Sequence, residues 1–283
     1  MISATGAIGL NHPKFAPVSK DASIGYLDRV FVDMMWYKAF SVWMMLRAGY
    51  NVLFQDVDLV WFRDPFPYFE DYIKRAIETS AEGDHPDGFF SDDGQRGLRY
   101  SPFFANSGFY YLLSNNKTTH FAWSILTAFD TLVTSGSHQN VFTMRLQEGL
   151  WLTNFHSKLL SLEEFPTGIQ YHHNPEFMKA FKRGDENPYN FHMCWTQTKA
   201  DKLRNFKATN MWYVKGSCDI KEIRKPGGSF KKLINLIMKE KRYSPGVTWN
   251  KMSNFCCLVP NNRSSWTIPS NKKAGSGPPF LVI

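Results

Sequence analysis

Two carboxylates, Asp56 and Asp58, stand one residue apart directly after the apolar run Tyr50-Asn51-Val52-Leu53-Phe54-Gln55. A run of that kind following a glycine, here Gly49, reads as a buried strand. Packing explains an acidic pair at such a strand end poorly. In α/β sheets, ligands bind beyond the carboxyl ends of the strands. Mg2+ and Mn2+ favour hard oxygen donors and complete their shells with bound phosphates. The pair therefore reads as a platform for a divalent metal and a diphosphate, and in an extended strand both side chains face the same side. The reading without chemistry is a solvated acidic turn; the apolar strand before the pair and Trp61 and Phe62 after it argue against that.

The elements that would carry this platform follow from apolar spacing. From Arg29 to Ala48, Phe31, Met34, Met35, Phe40, Trp43, Met44 and Leu46 recur at near-helical intervals, and Gly49 stops the helix. The turn Asp64-Pro65-Phe66-Pro67 leads to a helix over about Tyr68–Thr79. Strands are predicted over Asp87–Ser91 and within Phe103–Leu113, the second following Asn106-Ser107-Gly108. Helices are predicted over Thr118–Val133, Gln139–Gly149 and Lys199–Ala208. A strand is expected within Trp151–Leu162 and a strand-like run at Phe191–Trp195. The stretch from Tyr171 to Asn190, rich in His, Asn, Pro and charge, reads as a loop. Helices alternating with buried strands make an α/β fold. After Val214 the chain becomes basic and rich in Pro, Gly, Ser and Asn. Residues 1–214 are thus read as one domain and 215–283 as a partly disordered basic extension, with one amphipathic helix over Phe230–Arg242 and the last twenty or so residues weakly ordered.

Bulk properties narrow the function classes. The chain has 283 residues, 43% of them hydrophobic, with nine Trp and twenty-four Phe, so it buries a large core and is not a disordered segment. The net charge of +8 attracts phosphate-bearing ligands and anionic surfaces. Much of the excess lies in Lys215–Lys251, and no nucleic-acid-binding signature is present. The four cysteines, Cys194, Cys218, Cys256 and Cys257, form no CxxC pair, which argues against a cysteine zinc site. Pairing of Cys218 with Cys256 or Cys257 and free buried thiols both remain open. Two glycosylation sequons occur, Asn116-Lys117-Thr118 and Asn262-Arg263-Ser264. No run of eighteen apolar residues and no signal-peptide pattern appears.

Two known families share the acidic pattern. Asp56-Val57-Asp58-Leu59-Val60 fits the strand-end motif of haloacid-dehalogenase-type phosphatases, with Asp56 as nucleophile and Asp58 as acid/base. Such enzymes also need a strand-end Lys and a later acidic pair. Asp92-Asp93 comes too soon, and no such lysine lies between. The whole segment Gly49 to Pro65 more closely resembles the nucleotide-diphospho-sugar transferases that include plant cell-wall arabinosyl-, xylosyl- and galactosyltransferases (glycosyltransferase family 77). Lys38, Asn106-Ser107-Gly108-Phe109 and His192-Met193-Cys194-Trp195 with Lys202 and Trp212 follow that family's motifs in order. The resemblance covers roughly residues 9 to 214.

The resemblance implies a GT-A type fold, a mixed sheet with helices on both faces. It implies Mn2+ or Mg2+ held by Asp56, Asp58 and His192, and transfer of a sugar from a UDP-sugar donor to a glycan or glycoprotein hydroxyl with retention. Lys38, Asp56, Asn106, Ser107, Gly108 and Lys202 would contact the donor, with Gly108 letting the chain pass close to the sugar. Asp58, Gln139 and His138 would act at the reacting centre. His138 stands where the family has an aspartate, and Cys194 replaces an asparagine. The resemblance also implies a membrane anchor and the first strands of the nucleotide pocket ahead of the matched region, in a type II protein of the Golgi lumen. The chain as written is therefore read as lacking its first strands. A member that binds without turnover is the second reading.

Overall fold

The computed structural model describes residues 23, 28–96, 103–135, 137–212 and 280–282. Its centre is a mixed sheet of five strands in the order β5-β3-β4-β1-β7. These are β1 (Asn51–Gln55), β3 (Gly88–Asp92), β4 (Ala105–Leu112), β5 (Ser157–Leu159) and β7 (Phe280–Val282). Strand β4 runs antiparallel to β1 and β3, while β5 is parallel to β3 and β7 to β1. A separate antiparallel pair joins β2 (Leu59–Trp61) to β6 (Asn190–His192), with Leu59 opposite His192.

Strand alternation sends each strand's residues to two cores. Val52, Phe54, Phe90, Tyr110 and Leu112 face one cluster, which α1 (Arg29–Arg47), α3 (Asn116–Thr127), α4 (Phe129–Ser135) and α5 (His138–Leu152) cover. Leu53, Phe89, Phe109 and Tyr111 face the other, against Phe69 of α2 (Phe66–Thr79) and Phe165. The sheet is therefore covered by helices on both faces, as the expected fold requires. A third cluster packs Phe62 and Phe191 against Phe177, Met178 and Phe181 of α7 (Pro175–Arg183) and Phe206 of α8 (Lys199–Ala208). No helix among the described residues is long and apolar enough to cross a membrane.

Helix α1 starts where Asp28 accepts the Phe31 N–H at 2.7 Å, and buries Val32, Met35, Ala39, Val42 and Leu46. Several expectations need correction. The helix read over Thr118–Val133 is two, because the Ala128 N–H bonds Ile125 and the next helix starts at Phe129. The loop read over Tyr171–Asn190 holds the end of α6 (Gly168–His173) and all of α7. The signals were present: Asn174 caps the Phe177 N–H at 3.0 Å, Pro175 fits the first turn, and Gly184 ends the helix at φ +90°. Phe280–Val282 pairs with β1 rather than trailing free. The helix expected over Phe230–Arg242, and Cys218, Cys256 and Cys257, lie outside the described residues.

Candidate metal and donor site

Strands β1 and β3 end, and β4 begins, on one edge of the main sheet. Gln55 lies opposite Phe109, the Asp56 N–H donates to the Gly108 carbonyl at 2.7 Å, and Ser91 and Asp92 lie opposite Asn106 and Ala105. Topology therefore brings Asp56, Asp92, Asp93, Asn106 and Gly108 to the same edge, where ligands of α/β proteins bind.

Asp56 and Asp58 do not converge as expected, from one extended strand. Asp56-Val57-Asp58 forms the turn between β1 and β2, and Val57 points fully into solvent. The second, two-stranded sheet completes the approach. Leu59 pairs with His192, and the Met193 N–H donates to the Asp58 carbonyl at 3.0 Å, which sets His192 beside Asp58. One ligand atom from each of Asp56, Asp58 and His192 lies within 4.8 Å of the others. The two carboxylates offer the hard oxygen donors that Mn2+ and Mg2+ favour, and the imidazole adds a nitrogen donor.

The floor of this cluster is Gly108. A Cβ there would meet His192 Cε1 at 2.5 Å, Asp56 Oδ2 at 2.8 Å and Asn106 Oδ1 at 3.0 Å. The glycine is demanded by close approach rather than by a special backbone angle. Two lysines close the sides. Lys38, on α1, donates to Asp56 Oδ1 at 2.5 Å, and Lys202, on α8, is ion-paired with Asp58 Oδ2. His192 Nε2 stands 3.4 Å from Asp58 Oδ1 with its side chain only 3% exposed.

Burial opposes ionisation of Asp58. The hydrogen bond and charge of His192, with those of Lys202, outweigh it and hold the carboxyl far below its ordinary range. Burial likewise opposes the protonated form of His192, but the Cys194 sulfur and the Asp58 carboxylate outweigh it and push the imidazole up.

Beside the cluster lies a polar nest. Ser107 N–H and Oγ–H both donate to Gln139 Oε1 at 3.3 Å. Asn106 Oδ1 accepts the Gly108 N–H at 2.8 Å, and its Nδ2 donates to Asp93 Oδ1 at 2.7 Å. His138 is buried behind this face, with the Ser107 backbone within its reach. It lies inside the core among Ala39, Val42, Tyr110 and Phe142, lining a small cavity of about 10 Å3. Burial pushes it down to about 3, with the Lys38 charge adding to the effect.

The nucleotide-diphospho-sugar transferase family matches residues 4–206. The chain belongs to this family. Among its curated relatives is a UDP-galactose:fucoside alpha-3-galactosyltransferase of Dictyostelium discoideum, 24% identical over 60% of this chain and 26% of the relative. A beta-arabinofuranosyltransferase of Arabidopsis thaliana is 27% identical over 65% of this chain and 35% of the relative. A UDP-D-xylose:L-fucose alpha-1,3-D-xylosyltransferase of the same plant is 25% identical over 72% and 56%. The chain thus spans about a quarter to just over half the length of these relatives. No solved structure matches it. The family assignment leaves the phosphatase reading of Asp56 without support. Asp92, of the acidic pair weighed for that reading, is held by Arg96 at 2.8 and 2.5 Å.

The sequence reading gave Asp93 no place in the transferase site, yet the structure sets it against Asn106. It is buried, and besides Asn106 it accepts from Gln95 at 3.0 Å and from the Trp195 indole at 3.2 Å. Burial raises its carboxyl, while Asn106, Gln95, Trp195 and Gln139 pull it back. The signal was a carboxylate pair, Asp92-Asp93, at the end of a fully buried strand.

Proposed function

We propose that this protein transfers a sugar from a UDP-sugar to a hydroxyl of a glycan or glycoprotein, using Mn2+ or Mg2+ held by Asp56, Asp58 and His192. The observation that carries the reading is the cluster itself: three side chains able to ligate such a cation, on a glycine floor that excludes any side chain, between two lysines. Named relatives that use UDP-galactose and UDP-xylose support the choice of nucleotide.

The bound cation would supply charge neutralisation for the leaving diphosphate. Lys202 and Lys38 would turn from the carboxylates to the phosphate oxygens, stabilising the charge that develops there. Asn106, Ser107 and Gln139 supply donors and acceptors for the sugar hydroxyls beside Gly108. Asp93 is already occupied by three donors, which favours an orienting role over attack on the sugar. For a retaining transfer we favour internal return: the bond from the anomeric carbon to the diphosphate breaks, the acceptor oxygen bonds the same face, and its proton passes to the leaving phosphate. Calorimetry with UDP, in Mn2+ and in EDTA, tests the donor site. Binding that needs both the cation and Asp58 is expected. Equal binding by Asp58→Ala, or in EDTA, refutes the metal reading; no binding by the folded protein favours a member without turnover.

A further inference from the structure

We infer that Trp195 is the stacking platform for the sugar ring that receives the transferred group; this rests on the transferase reading above. Four observations point there. The first is exposure combined with anchoring. Trp195 is 43% exposed, yet its indole N–H donates to the buried carboxylate of Asp93 at 3.2 Å, and the His173 ring meets it at 87° with centroids 5.8 Å apart. A side chain open to solvent but fixed at its polar end is pre-positioned for contact.

The second is its backbone. Trp195 has φ +61°, in the left-handed region that a bulky aromatic residue rarely adopts and that concentrates at ligand clamps. The surrounding chain enforces it. Cys194 lies so close to Gly168 that a Cβ on the glycine would meet the Cys194 carbonyl oxygen at 1.9 Å, and the Gly168 N–H donates to Cys194 Sγ at 3.4 Å.

The third is connection to the cluster. Asp93 Oδ1, which holds the indole, also holds Asn106, and Asn106 holds the N–H of Gly108. The indole is thus tied by successive hydrogen bonds to the cluster's floor. The cation and lysines occupy the cluster itself, which leaves Trp195, at the far end of this chain of bonds, for the ring that accepts the sugar.

The fourth is chemistry. A sugar ring presents a face of weakly positive C–H groups, which complements the negative face of an indole. Such a contact tolerates several sugars while fixing the ring plane.

Saturation-transfer NMR of the protein with Mg2+ and UDP, against a mixture of methyl glycosides of pentoses, hexoses and a deoxyhexose, tests this. The wild type should saturate UDP protons and the ring protons of at least one glycoside. Trp195→Ala should lose the glycoside signal by about tenfold and keep that of UDP; Trp195→Phe, which keeps an aromatic face, should retain a good part of it. An unchanged glycoside signal in Trp195→Ala overturns the inference, as does no glycoside signal from a wild type that binds UDP. So does a Trp195→Phe variant that keeps the UDP signal but loses the glycoside signal as fully as Trp195→Ala. A wild type that leaves UDP silent refutes instead the function on which the inference rests.

Discussion

Replacing Gly108 by Ala adds one methyl group at the centre of the cluster, and the structure fixes what it meets. The new carbon would lie 2.5 Å from His192 Cε1 and 2.8 Å from Asp56 Oδ2. Carbon atoms settle at about 3.5–4.0 Å, so the imidazole must retreat by about 1 Å. Ligand sets tolerate displacements of only about 0.5 Å. The groups in the way are side chains, not backbone, so the fold can yield. Overpacking of this size costs about 1–3 kcal/mol, which lowers Tm by about 2–10 °C for a domain of this size. Cation binding should suffer more, since both displaced groups are proposed ligands. Mn2+ affinity is expected to fall about 10- to 100-fold, as when ligands lose the partners that position them. Calorimetric titration of Mn2+ into folded wild type and Gly108→Ala measures this. Affinities within threefold of each other would show that the cation does not sit over Gly108, and the argument from the glycine floor would fail.

Gly168→Ala makes a contrast, because its Cβ would meet the backbone oxygen of Cys194 at 1.9 Å; it should lower Tm further than Gly108→Ala, and equal or smaller loss would contradict the packing argument. Lys202→Ala should leave Mn2+ binding alone unchanged or tighter, because Asp58 loses a competing cation, yet weaken UDP in the presence of Mn2+ about tenfold or more, the worth of a charged hydrogen bond; parallel weakening of both would remove Lys202 from the donor site. His138 gives a pH signature. Its folded value is pushed down to about 3 from an ordinary 6.5, so the unfolded chain binds the extra proton and stability is full above pH 6.5, then declines toward pH 3. Between pH 6.5 and 5.5 the wild type should lose up to about 1.4 kcal/mol more than His138→Leu in urea unfolding; identical pH dependence of the two proteins would place the imidazole in solvent rather than in the core.

The parts of the fold legible in the sequence are those whose cause is local. The short apolar stretches 52–54, 89–90 and 109–112, each bordered by turn or polar residues, lie in strands of the main sheet. Helix α1 declares itself by spacing and by its terminal glycine. What escaped was set by distant partners. The segment that forms α7 carried Asn174, Pro175 and Gly184 as caps and first turn, but its composition of His, Asn and charge concealed Phe177, Met178 and Phe181, which become a buried face only because Phe62 and Phe191 stand opposite. Strand β2 has three residues and exists through its pairing with β6, about 130 positions later. Asp93 and Trp195 are 102 residues apart, and nothing local to either announces the bond between them.

The cluster itself shows how a local motif and a distant pairing share the work. The sequence marks Asp56 and Asp58, but an extended strand is not what aims them; the β1–β2 turn and the register of Leu59 against His192 do. The same register explains why both lysines matter. Asp56 and Asp58 are each bound to a lysine from a different helix, α1 and α8, so the two halves of the site are joined across the cluster by charge. A divalent cation that took both carboxylates would compete with both lysines for them. The released ammonium groups then face whatever anion the cation brings with it, and a diphosphate is the anion whose two phosphates match two lysines and one metal. On the proposed function, cation and nucleotide would bind as one unit: Mn2+ alone would meet two resident competitors, UDP alone would meet two carboxylates, and together each would remove the obstacle to the other. The expected outcome is that UDP raises Mn2+ affinity and Mn2+ raises UDP affinity by the same factor, as linkage requires. Independent binding of the two would mean that the lysines never leave the carboxylates.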